Sequence, residues 1–423
     1  MPKLEFPKDF LWGASTAAHQ VEGAKDNDWT EWEHKNASML ARESKSRYKK
    51  VANFLFSLPE WSEIEEYATD PLNYISGTST DHYHRYKEDF DLAKKLNHNA
   101  HRFSLSWDRI EPSPGEFNLE ELNHYKSVIM ALKERGITPL VTLWHFANPR
   151  WVNSLGTWDN KKVIPAFLRY VEKLAKFYKD DIKYWITLNE PMVYVAASHL
   201  TGMRPPEKAS ILSSWKATNN LIEAHKKAYE IIKSYIPDSM VGVANNLMFM
   251  ESKYPLVYNQ LFRRLMNYIY NNRFIAKIEP HQDFIGINYY FYNLISWTYN
   301  KAKYKHKSDM GWGLYPEGIY HVLKQASKYK KPVIITEHGL ADRYDKYRGW
   351  YIKETLKYVH KAIQEGVDVR GYLHWSLLDN FEWDFGFWPR FGLIEVDYDT
   401  LARKPRPSAY ELAKIIKENG LEI

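Results

Sequence analysis

Two glutamates stand where an acidic side chain has no packing role. Glu190 follows the apolar run ITLN and precedes Pro191, and Glu337 follows VIIT and precedes His338 and Gly339. Each ends a core-type strand, where a carboxylate is costly unless it faces a cleft. Singly, either could be a helix cap or one half of a loop ion pair. Together they are what glycosidic cleavage requires: one carboxyl held protonated to donate to the leaving oxygen, the other ionised to attack or stabilise an oxocarbenium-like centre. A separation of roughly 5–5.5 Å gives retention and a wider gap gives inversion.

The elements that must position this pair are legible as an alternation. Strand-like runs lie at Phe10–Ala14, Ala100–Trp107, Thr138–His145, Ile182–Leu188, Ser239–Asn245, Asp283–Tyr290, Pro332–Thr336 and Val369–Ser376. Helical periodicity fills Tyr83–Leu96, Leu122–Arg135, Val163–Tyr178, Trp215–Tyr235, Pro316–Tyr329, Tyr351–Gln364 and Ser408–Asn419. This pattern predicts a parallel sheet covered by helices. Unusual polar groups recur at many strand ends rather than at one switch point, so the α/β class expected is a closed (β/α)8 TIM barrel. Glu190 and Glu337 then end strands four and seven. Residues 1–423 read as a single catalytic domain, with a polar, irregular excursion over about 35–79.

Other groups are weighed on the same frame. His145, ending TLWH, reads by itself as a satisfied core histidine, and Trp375 as core packing. Arg102 on a barrel strand must be paired, and an interior carboxylate is the natural partner. Glu382 and Trp383 differ: the run DNFEWDFGF after the eighth strand is poor core material and good sugar-binding material. His82 and His84 form the one H-x-H, at a spacing that does not share a helical face, so no metal is expected. No H-E-x-x-H, G-x-G-x-x-G or G-x-x-x-x-G-K-[ST] occurs, and the reaction needs no cofactor.

Composition narrows the class further. Sixteen Trp and 31 Tyr supply either an aromatic core or flat platforms for sugar rings. With no cysteine, thiolate catalysis and disulfides are excluded. The net charge of +6 is dispersed among 52 acidic residues, without the basic block that nucleic acid would require. The start MPKLEFPKDFLWG lacks an apolar signal core and no spanning helix is expected, so the default is cytoplasmic. Abundant Lys and Glu with scarce Gln lean toward a thermophilic source. The segment Leu247–Ile278 reads first as an amphipathic helix on the barrel. An exposed apolar face, for greasy aglycones or peripheral membrane contact, and a subunit contact in a homo-oligomer are the alternatives.

The ordered motifs FPKDFLWGASTAAHQVEG, HRFSLSWDRIEP, TLWHF, TLNEP, DFIGINYY, ITEHG and LHWSLLDNFEWDFGFWPRFGL cover nearly the whole chain. In this set the sequence resembles glycoside hydrolase family 1, the retaining β-glucosidase and β-glycosidase family, with a lean to its archaeal and thermophilic members. The resemblance implies Glu190 as acid/base, Glu337 as nucleophile, and Asn189 as partner of the sugar 2-hydroxyl. It implies Arg102 and Tyr290 as groups that orient the nucleophile and keep its pKa low. Gln20, His145 and Glu382 would grip the remaining hydroxyls with Trp383 beside them, and Trp375 would be the platform under the ring.

Departures from the family pattern are His338 where Asn is usual, Phe146 followed by Ala147-Asn148 where Trp and a Pro-containing run are usual, and Phe387 where Tyr is common. His338 bears on the strand-seven turn or the pH profile, and Phe146 removes an indole donor from the pocket. The chain is also short for the family, implying trimmed loops. Glu382 and Asp384 would repel a phosphate, so terminal, non-phosphorylated β-D-glucosyl residues are expected first, with galactosyl, fucosyl and mannosyl next. The partners are small β-glycosides or short oligosaccharides, cleaved from the non-reducing end. Alkyl or aryl glycoside preference, transglycosylation and a non-catalytic sugar-binding barrel are the competing readings. The rate should be bell-shaped in pH, its alkaline limb reporting Glu190 at about 6–7.

Overall fold

Eight largely buried segments of five to seven residues, too short for core helices, pair edge to edge. The computed structural model describes residues 3–23, 26–54, 60–252, 254, 256–290, 292–295 and 305–422. Its strands are β1 (Leu11–Ser15), β2 (Ala100–Ser104), β3 (Thr138–Trp144), β4 (Tyr184–Asn189), β5 (Met240–Asn246), β6 (Phe284–Tyr289), β7 (Val333–His338) and β8 (Val369–Trp375). All neighbours are parallel, in chain order, and β8 returns to β1 to close the barrel. This is the (β/α)8 architecture that the alternation predicts.

One side chain from each of seven strands (Ala100, Leu140, Ile186, Ala244, Phe284, Ile334 and Leu373) fills the barrel, with Leu11 of β1 packed on them. The interior is therefore a plug of packed core, and polar chemistry is confined to the strand ends above it. Two register irregularities sit where the chemistry is. Between β7 and β6, Ile335 pairs with Ile287 and Glu337 with Asn288, so β7 carries one extra residue. Between β4 and β5, Ile186 pairs with Gly242 and Asn189 with Ala244, again one extra on the glutamate-bearing strand. Such bulges re-aim a side chain that strict alternation would direct elsewhere.

The helices bury stripes spaced three and four residues apart. In Val163–Phe177 the stripe is Ile164, Phe167, Tyr170, Val171 and Leu174. Leu119–Glu134 starts where the Asn118 side chain accepts from the N–H groups of Glu120 and Glu121.

Two expectations are corrected. The described residues of 35–79 are mostly helical, not irregular: helix α1 (Asp28–Phe54) runs for 27 residues, and Trp61–Ala68 and a 3-10 turn at Pro71–Tyr74 lie beyond residues 55–59. The buried stripe of α1 includes Trp29, Trp32, Asn36, Leu40, Ser44 and Tyr48, helical in spacing, but five of these six are polar or aromatic, which hides it among charged neighbours. Residues 55–59 of that excursion lie outside the described residues. Helix α2 (Val257–Asn267) does not bury its apolar face against the barrel, since Val257 is 75% exposed and Leu261 58%. Phe274, Ile275 and Ile278, further along, carry that packing instead. Among the described residues no helix is long and apolar enough to cross a membrane.

Candidate active site

The two glutamates are built into opposite sides of one hydrogen-bond network. Glu190 follows β4 in left-handed conformation (φ 43, ψ 53), with its N–H donating to the Ala244 carbonyl at 2.7 Å. A non-glycine residue held there is strained, and Pro191 at the first position of the next helical turn fixes the exit. Glu190 Oε1 accepts from Asn246 Nδ2 and from Asn288 Nδ2, each at 2.9 Å. Glu337 accepts on Oε1 from the Arg102 guanidinium and on Oε2 from the Tyr290 hydroxyl at 2.7 Å. Gly339 follows because a Cβ there would meet the Trp375 carbonyl oxygen at 1.9 Å.

Arg102 joins the two halves. Its other terminal nitrogen donates to Asn189 Oδ1 at 2.6 Å, and its Nε donates to Thr142 Oγ1 at 2.9 Å. Asn189 Oδ1 also accepts from Asn288 at 3.2 Å. With that oxygen engaged, Asn189 Nδ2 must donate to His145 Nε2, 2.9 Å away. His145 therefore carries its proton on Nδ1, an atom with no hydrogen-bond partner among the described residues.

The rim is aromatic and polar. Gln20 Nε2 donates to the Phe381 carbonyl at 2.7 Å and reaches Glu382 Oε2 at 3.3 Å, while its Oε1 has no partner among the described residues. Trp383 stacks on His19 at 5.2 Å and touches Trp29, Phe146 and His145. Trp375 lies 6.1 Å from the His145 ring. All ten residues singled out from the sequence thus fall into one continuous constellation at the C-terminal ends of the strands.

Asn246 and Asn288 were missed. Each is an amide at the end of an otherwise apolar strand, in VGVANN and FIGINYY, and that break in hydrophobicity was the available signal. His82 and His84 do not converge: the first pairs with Asp89 and the second with Asp81. Among the described residues no cluster of three or more metal-ligating side chains forms.

Burial dominates the electrostatics. It raises Glu190 against the two amide donors. It pushes Glu337 up to about 7, with Arg102 opposing, the Glu190 charge adding and the Tyr290 hydrogen bond opposing. The expectation that Arg102 and Tyr290 hold Glu337 low is therefore corrected: they offset desolvation without overcoming it. Glu382 is pushed to about 8 by burial, opposed by Arg204. Burial also holds the Tyr290 phenol well above its usual range, so it remains a donor.

The sequence profile of glycosyl hydrolase family 1 matches residues 3–275 and 248–421. The chain belongs to this family. It is 33% identical to beta-glucosidase A of Thermotoga maritima, over 99% of both chains, and 31% identical to beta-glucosidase A of Acetivibrio thermocellus, over 99% of this chain and all of that one. Among solved structures, a beta-glycosidase from Pyrococcus horikoshii superposes with TM-score 0.87 at 34% identity, covering 100% of this chain and 97% of that one. The thermophilic lean of the composition accords with these relatives. The first alignment runs over 467 positions against 423 residues here, so this family 1 chain lacks segments its relative carries.

The departures from the family 1 pattern are accommodated locally. His338 points away from the carboxylates, its Nδ1 on the Tyr372 hydroxyl at 2.8 Å and its Nε2 on Thr355 at 3.2 Å, and burial lowers it to about 3. It is a neutral structural imidazole rather than a modifier of the site. Phe146 packs among Trp144, Tyr194 and Trp383. Asn148 accepts from the indoles of Trp144 and Trp158 and donates twice to Asp28, tying the β3 loop to α1. Phe387 is held by ring contacts with Phe381 and Tyr398. Asp384 is paired with Arg47 and Arg204.

Proposed function

We propose that the protein is a retaining, exo-acting β-glycosidase that releases terminal β-D-glucosyl residues from small glycosides and short oligosaccharides. The observation that carries this reading is the Arg102 guanidinium, shared between Glu337 and Asn189 while Asn288 spans Asn189 and Glu190. Of these two carboxyls, only Glu337 is paired directly with a cation among the described residues, so the first negative charge resides there and Glu190 keeps its proton.

In the first step Glu337 attacks the anomeric carbon while Glu190 gives its proton to the leaving oxygen, leaving a glycosyl-enzyme ester. In the second, Glu190 takes a proton from water, whose oxygen attacks the same carbon and expels Glu337, restoring the β configuration. The second Nδ2 hydrogen of Asn189 is left for the sugar 2-hydroxyl, a contact that strengthens as charge develops. The unpaired His145 Nδ1 donor and Gln20 Oε1 acceptor meet further hydroxyls, and Trp375 and Trp383 supply the aromatic surface. Non-phosphorylated sugars remain the expected glycones from the family resemblance and not from charge repulsion, since Asp384 is paired with two arginines and burial pushes Glu382 up to about 8. Residues 1–423 act as one catalytic domain, because α1 and the turn after it hold the loop that bears Glu382. Transfer to an acceptor alcohol uses the same residues and is expected only at high acceptor concentration.

The test is a proton NMR time course with an aryl β-D-glucoside, read before mutarotation. Early β-glucose supports the double displacement. Early α-glucose overturns it, and no product across a panel of glycones favours a non-catalytic barrel.

A further inference from the structure

The loop that carries Glu382 and Trp383 adopts a conformation its own residues do not favour. Trp383 sits at φ 49 and Gly386 at φ 75, with a tight 3-10 turn at Trp383–Phe385 between strand β8 and the rest of the chain. A bulky residue in the left-handed region persists only when surrounding structure imposes it. Here the imposing contacts come from outside the loop. The Asp384 carboxylate lies between two guanidiniums, Arg47 from α1 and Arg204 from the loop after β4, the latter at 2.7 Å. Arg47 also donates to the Asp384 carbonyl at 2.8 Å. Asn73 completes the frame: its side chain donates to the Phe385 carbonyl and accepts from the N–H groups of Phe387 and Trp388. A Cβ at Gly386 would lie 2.1 Å from the Asn73 carbonyl oxygen. Arg204 is stacked over Trp29, whose ring touches Trp383 at 4.6 Å.

We infer that Arg47 and Arg204, acting through Asp384, are positioning residues that set where Glu382 and Trp383 meet the terminal sugar and thereby govern which glycone is accepted. The inference rests on the β-glycosidase reading and deepens it. Its physical basis is that Asp384 is buried and paired on both sides, so loss of either guanidinium lets the turn relax. Relaxation displaces Glu382, two residues away, while β8 and the carboxylates on β4 and β7 stay in place. A lysine cannot replace Arg47, because two separate nitrogens of its planar fork are in use.

The experiment measures kcat and KM of the full chain on aryl β-D-glucoside, β-D-galactoside and β-D-xyloside. Wild type is compared with Arg47→Gln, Arg204→Gln, Glu382→Gln and the Arg47→Gln/Glu382→Gln double variant. Glu382→Gln defines the direction in which selectivity moves when the sugar contact is lost. The expected result is that each arginine variant shifts the selectivity ratio in that direction by at least about threefold, mainly through KM. The double variant should shift it no further than Glu382→Gln. Thermal unfolding of each variant is followed alongside, and should Arg47→Gln not fold, Arg204→Gln carries the same prediction with one guanidinium still on Asp384. Selectivity unchanged in the arginine variants, with all three glycosides slowed alike or not at all, overturns the inference. Selectivity unchanged in Glu382→Gln overturns it at its premise. A wild-type protein that cleaves none of the three would instead remove the β-glycosidase reading.

Discussion

Asn288 donates to Glu190 Oε1 at 2.9 Å from the same nitrogen that reaches Asn189 Oδ1 at 3.2 Å, so a single amide from β6 couples the acid/base candidate to the arginine that pairs with Glu337. This amide stabilises the charged form of Glu190, as does Asn246. Replacing either by alanine removes a donor to the carboxylate and raises the Glu190 pKa further. The alkaline limb of kcat/KM on an aryl glucoside is expected to move to higher pH in Asn288→Ala and Asn246→Ala. A limb that moves to lower pH would show that Glu190 does not set it.

Glu190→Gln keeps the shape and the amide contacts but cannot donate to a leaving oxygen that needs a proton. Turnover of a disaccharide should fall by about 10²–10⁴-fold, with a much smaller loss on aryl glycosides whose leaving group departs unaided. Equal losses on both substrates, measured by initial rates, would contradict the acid assignment.

Tyr290→Phe removes the hydroxyl that opposes burial at Glu337, whose carboxyl already sits at about 7. The Glu337 pKa rises, so a larger fraction is protonated at neutral pH. The acid limb of the profile should shift to higher pH, with kcat/KM at pH 6 falling more than at pH 8. An unshifted acid limb in stopped assays across that range would separate Tyr290 from the nucleophile.

Stability should change with pH in a direction set by the same burial. Glu337 has a folded pKa of about 7 against an ordinary 4.5, so the folded chain binds the proton more tightly than the unfolded one. Stability is then lost as pH rises through the window from 4.5 to about 7. Glu337→Gln removes that penalty, worth on the order of 3 kcal/mol with the offset from Arg102 already included. Thermal unfolding should find the variant a few °C more stable than wild type at pH 8 and indistinguishable at pH 4.

His338→Asn tests the departure at strand seven. The imidazole is neutral and turned toward Tyr372 and Thr355, so both limbs of the pH profile should stay where they are. Loss of two buried hydrogen bonds should lower stability by about 1–3 kcal/mol. A shifted limb would place His338 in the electrostatics of the site after all.

The residues themselves decided much of this protein. Short aliphatic runs alternating with three-and-four periodicity specify strands and helices locally, because hydrophobic spacing acts over a few residues. That alternation was enough for the closed barrel and for placing Glu190 and Glu337 on strands four and seven. Tertiary structure decided what depends on pairs far apart in the chain. Arg102 and Glu337 are separated by 235 positions, and Arg47 and Asp384 by 337, so no local pattern announces either contact. The helical nature of residues 28–54 was hidden because five of the six residues in its buried stripe are polar or aromatic, and Trp29 and Tyr48 among them meet the Glu382 loop rather than a uniform apolar core. The raised pKa of Glu337 likewise belongs to the folded state: the sequence names its donors, but only the closed barrel removes the water whose absence outweighs them.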